Sequence, residues 1–191
     1  MTEKTLLKNK EIDKTIQNLE DSLKIDMFNV SKYFELASCY QARNKYLKAN
    51  DIYNKTLEIE PYNPNIYEYL GNNYLYLNDY DEALNCYLMS WNLLVDNEEQ
   101  YLNAMYNMCN KIVEIYLKID EYQECLKWTK NMIEINPKNT QGYLHMSDAY
   151  AKLNDLTNAL KYAHMAFDIR DKNNHIEKSL IIKYYIKKYA N

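Results

Sequence analysis

The sequence predicts an all-α protein assembled from repeated helix pairs, and three observations predict it. Apolar and small residues recur at helical spacing, the same pattern returns about every 34 residues, and turn-forming residues fall at one fixed place in each period. Only two glycines and three prolines occur in 191 residues, too little turn material for a run of β-hairpins.

The clearest period spans residues 64–97. In its first half, Tyr67, Leu70, Gly71 and Tyr74 fall at i, i+3, i+4 and i+7, one face of a helix. Gly71 removes a side chain where a second helix must press close. Asp79, Tyr80, Asp81 and Glu82 open the second helix, and Ala83, Tyr87 and Ser90 form its inner face. The acidic residues sit where a helix dipole favours them. Between the halves stands Asn78, and a tight helix–helix turn needs a residue tolerant of positive φ, as Asn is.

The neighbouring windows repeat the pattern. Residues 30–63 supply Tyr33, Leu36, Ala37, Tyr40, Asn44, Tyr46, Ala49, Tyr53, Thr56 and Pro61. The next match starts at Tyr106 and gives Ile112, Val113, Tyr116, Asp120, Tyr122, Cys125, Met132 and Pro137. The last starts at Thr140 with Tyr143, Met146, Ser147, Tyr150, Asn154, Ala159, Ala163 and Ala166. The turn place is thus Asn44, Asn78, Asp120 and Asn154, always Asx. The third window departs from the pattern, with Cys109 for a large residue, Val113 for a small one and Thr129 for an aromatic. Residues 98–105 precede it and lengthen either the incoming helix or the loop. At the front, residues from about Glu3 to Asp26 read as a lone helix covering the first pair. At the end, residues 174–191 read as a capping helix. Its apolar residues spread around much of its circumference, so either it makes a second contact, such as self-association, or its tyrosines are solvated through their hydroxyls.

A large fourth residue, Leu-Gly at places seven and eight, Tyr at eleven, Ala at twenty and an aromatic at twenty-four resemble the tetratricopeptide repeat. The resemblance implies a right-handed superhelical solenoid of antiparallel helix pairs with flanking N- and C-terminal helices. It divides one domain, 1–191, into an N-terminal helix (1–29), repeats at 30–63 and 64–97, an insertion (98–105), repeats at 106–139 and 140–173, and a C-terminal capping helix (174–191).

Chemistry finds no foothold in the sequence. There is no Gly-rich phosphate loop, HExxH or nucleophile elbow. His145, His164 and His175 are scattered without further ligands at metal spacing and read as surface or boundary residues, so no catalytic group, metal or cofactor is expected. The net charge of −4 opposes a phosphate-neutralising surface, and nucleic acid is excluded as a partner. No long apolar run or signal peptide occurs, and the four cysteines show no CxxC pairing. Cys109 and Cys125 read as small buried hydrophobes in a cytoplasmic, membrane-free, reducing setting.

By resemblance, the first helices line a concave channel. That assigns a peptide-binding groove to Phe34, Ser38, Asn65, Glu68, Asn72, Tyr76, Asn107, Asn110, Glu114, Leu144 and Asp148. Such a surface is amide-rich and mildly acidic, suited to the backbone of an extended segment. The carboxylate clamp that the family uses for Hsp70 and Hsp90 is poorly matched, since Phe34, Ser38 and Tyr69 stand where Lys and Asn are needed. No Lys or Arg occurs between Lys55 and Lys111, whereas the tail from Arg170 onward is basic. The expected function is a protein-binding scaffold or adaptor taking a peptide segment, a basic one by this charge pattern. The alternatives are a co-chaperone with a non-standard site and a self-assembling structural subunit, a homo-oligomer through the C-terminal helix.

Overall fold

The computed structural model describes residues 3–95 and 98–171. The expected capping helix at 174–191 lies outside the described residues, and with it the self-association assigned there. Among the described residues all regular structure is α-helical: α1 (Glu3–Ile25), α2 (Val30–Ala42), α3 (Tyr46–Ile59), α4 (Pro64–Tyr76), α5 (Tyr80–Val95), α6 (Glu98–Lys118), α7 (Tyr122–Ile135), α8 (Thr140–Lys152) and α9 (Leu156–Asp171). The chain forms two compact units, residues 1–93 and 94–191.

The periodic residues explain the helix boundaries. Asn29, Asn63 and Asn139 cap α2, α4 and α8, each side chain accepting a backbone N–H of the first turn at 2.9–3.1 Å. Pro64 follows in the first turn of α4, where no intrahelical donor is lost. Every Asx turn residue has positive φ: 54° at Asn44, 59° at Asn78, 62° at Asp120 and 61° at Asn154. At Asn78 the Asp79 N–H reaches back to Tyr74 O at 2.9 Å and the Asn78 N–H to Leu75 O at 3.0 Å, closing the α4 carbonyls in a Schellman motif. Tyr33, Tyr67 and Tyr143, all fourth in their repeats, donate to the carbonyls of Met27, Pro61 and Pro137 at 3.1–3.3 Å and tie down the incoming loop. Cys109 cannot make that bond. There residues 98–105 instead prolong α6 upstream, with a break in helical geometry at Tyr101 (φ −114°, ψ 15°).

In the first unit, Ile16, Leu19 and Leu23 of α1 join Leu36, Ala37, Tyr40, Ala49, Ile52, Tyr53, Ile66 and Leu70 in one buried cluster. α1 is also held by polar contacts: the Tyr40 hydroxyl donates to Glu20 Oε1 at 2.5 Å, and Arg43 grips Asp13 through two bonds at 2.9 and 3.2 Å. α4 meets α5 at Gly71. A Cβ built there would lie 2.5 Å from the buried Tyr87 ring, so the glycine is demanded by approach rather than by φ. In the second unit α6 packs on α7, α7 on α8 and α8 on α9. Cys109, Val113, Cys125, Thr129 and Met132 are fully buried between them. Burial pushes the Cys109 and Cys125 thiols up to about 12, so they stay protonated and inert.

Candidate peptide-binding faces

The first helix of each pair carries the residues assigned to the groove. In the first unit these lie on α2 and α4. Ser38, Asn65 and Tyr76 are exposed, while Phe34, Glu68 and Asn72 are half-buried. Phe34 is a wedge rather than a free contact. Its ring meets Tyr53 of α3 edge-on at 5.8 Å and Tyr69 of α4 edge-on at 5.7 Å. Tyr53 and Tyr69 stack in parallel, 5.4 Å apart with 7° between their planes. Tyr76 stacks on Tyr46, the first residue of α3, at 4.7 Å and 5°.

Beneath this face lies a buried amide chain that sequence periodicity does not reveal. Gln41 of α2 donates to Asn73 Oδ1 of α4 at 2.6 Å, and Asn73 Nδ2 donates to Asn50 Oδ1 of α3 at 2.7 Å. Asn73 is wholly buried and Asn50 nearly so. Further along, the Tyr87 hydroxyl donates to Asn72 Oδ1 at 2.8 Å and sets the orientation of that amide. Burial raises the Tyr53 hydroxyl far above its ordinary range, with the ionisable hydroxyl of Tyr69 adding to the effect and Ser38 opposing it through a hydrogen bond. It therefore remains a neutral group beside the face.

In the second unit the corresponding residues lie on α6 and α8. Asn107 and Glu114 are exposed, and Asn110, Leu144 and Asp148 are half-buried. His145, expected at the surface or boundary, is only 8% exposed. Its Nε2 lies 3.0 Å from Asn110 Oδ1 and 3.0 Å from Gln141 Nε2, while Asn110 Nδ2 donates to Glu114 Oε1 at 2.8 Å. One imidazole thus joins α6 to α8 and fixes an amide of the face. Burial holds its pKa below the usual 6.5, against the opposing fields of Glu114 and Asp148. The one cue in the sequence was its place four residues after Gln141 on a first helix; His164, by contrast, is exposed.

Among the described residues no three His, Cys, Asp or Glu groups gather as a metal site. No described helix is long and apolar enough to cross a membrane.

The sequence matches no protein-family model and no curated protein. Its fold, however, is shared with solved structures. A crystal structure of MamA superposes with a TM-score of 0.70 at 18% identity, over 91% of this chain and 97% of that one. MamA from Desulfovibrio magneticus RS-1, residues 41 to its end, gives 0.64 at 14% identity, over 83% and 93%. The nearly identical TPR-like repeats of a Podosopora anserina kinesin light chain give 0.67 at 14%, over 88% and 91%. With the Asx turns, the Gly71–Tyr87 crossing and the consecutive packed helices in view, the chain has the tetratricopeptide-repeat fold.

Proposed function

We propose that this protein is a non-catalytic scaffold that holds an extended segment of another protein along its first helices, within a multiprotein complex. One observation carries the reading. The polar groups on these faces are set in position from below, Asn72 by Tyr87 and Asn110 by His145. Amides fixed in advance lose little freedom when they pair with a peptide backbone, which is what a binding face requires. A carboxylate clamp is not supported in the first unit, where Phe34 and Tyr69 are committed to ring packing.

Affinity purification with mass spectrometry tests the proposal. Asn65→Arg and Asn107→Arg place a bulky charge at exposed positions of α4 and α6, and Asn54→Arg does so at an exposed position of α3. Partners recovered with the native chain and with Asn54→Arg, but lost with either of the other two, support it. Recovery lost only with Asn54→Arg contradicts it.

A further inference from the structure

Resting on that reading, we propose that the α2–α4 face of the first unit takes a partner segment bearing an arginine, whose guanidinium lies on the Tyr69 ring. Tyr69 is 41% exposed, yet its ring is held by the parallel Tyr53 and the edge-on Phe34. A ring fixed in this way presents an aromatic surface at small entropic cost, and its quadrupole attracts a cation.

The charge around it selects the same ligand. The α2 and α4 positions assigned to the face include one charged residue, Glu68, the neighbour of Tyr69, and no cation. The chain has no Lys or Arg from position 56 to the end of this unit. Over the same stretch Glu58, Asp79, Asp81 and Glu82 are exposed. The one cation of α2, Lys32, is engaged with Asp26 at 3.5 Å, and Arg43, just past the end of the helix, with Asp13 at 2.9 Å. The faces on α6 and α8 differ, since Lys118 and Lys152 accompany Glu114 and Asp148 there. A basic segment is therefore directed to the first unit. Arginine fits better than lysine because a planar guanidinium can stack on a tyrosine while pairing with a carboxylate, and it is less strongly hydrated than an ammonium. Ser38, which bonds the Tyr53 hydroxyl, and Asn65, one turn before Tyr69 on α4, are exposed hydrogen-bonding groups for the segment's backbone.

The test uses the full chain and fluorescent pools of short peptides, randomised among Gly, Ala, Ser and Asn around a fixed central Arg, Lys or Gln. Anisotropy titrations should show the Arg pool binding about tenfold more tightly than the Gln pool, with Lys between them. Tyr69→Leu should abolish that preference and Tyr69→Phe retain it, with circular dichroism confirming the fold. Glu68→Gln should weaken the Arg pool about threefold and flatten its salt dependence. If Tyr69→Leu fails to fold, the Arg-to-Gln ratio and Glu68→Gln still decide. Equal binding of the Arg and Gln pools that Asn65→Arg removes overturns the arginine assignment and leaves the groove reading standing. An Arg preference that survives Tyr69→Leu in a folded chain also overturns it. No binding by any pool overturns both.

Discussion

At the scale of single residues, the fold is specified by a few positions where only one kind of side chain fits. Gly71→Ala would gain helix propensity but drive a methyl into the Tyr87 ring, whose hydroxyl is anchored on Asn72. Overpacking dominates because the ring cannot withdraw, and a net loss of about 1–3 kcal/mol is expected in urea unfolding. An unchanged midpoint would show that the crossing can open. At Asn78, with φ 59°, Gly should be tolerated whereas Val should cost about 1–2 kcal/mol. His145 gives the protein a pH dependence. Its pKa is lower folded than unfolded, so the unfolded chain binds more protons and stability falls as pH drops below 6.5. Asp21 and Asp155, lowered from 3.8, act in a more acidic range, where stability is lost as their carboxylates protonate. Unfolding free energy should decline between neutral pH and the range just below 6.5, and His145→Gln should remove that slope. A slope that persists in His145→Gln would assign it to other groups.

At the scale of helices, periodic features were legible in the sequence and cross-helix polar ones were not. Ala37, Gly71, Val113 and Ser147 occupy the small eighth place, and Tyr53, Tyr87, Thr129 and Ala163 the twenty-fourth. In the third repeat a larger Val113 accompanies a smaller Thr129, and both are wholly buried. The places that depart from the pattern thus still lie in the core. Asn73 stayed hidden because a hydrogen bond joining three helices leaves no period in any of them. Phe34 takes its groove place from the repeat register, and its ring packs edge-on against Tyr53 of α3 and Tyr69 of α4, contacts that no register shows. Asn73→Leu would take the partner from Asn50 Oδ1 and from Gln41 Nε2 near the core and should cost about 1–3 kcal/mol. The double variant Asn73→Leu, Asn50→Leu should recover part of that loss, since one stranded amide is then gone. Simple additivity would mean that the two amides are not coupled.

At the scale of the whole molecule, the chain distributes its packing over two units. The first has its own buried cluster running from Ile16 to Leu70, with α1 packed on α2. A fragment of residues 1–93 should therefore show a helical spectrum and a cooperative thermal transition on its own. A featureless melt would make the first unit dependent on the rest of the chain. The central claim is that a partner occupies the first helices of the pairs. Hydrogen–deuterium exchange on the full chain, with and without the partner that affinity purification identifies, tests it most directly. Protection should concentrate in α2, α4, α6 or α8, whose amide side chains are held in place from beneath. Protection confined to α3, α5, α7 or α9 would contradict the account.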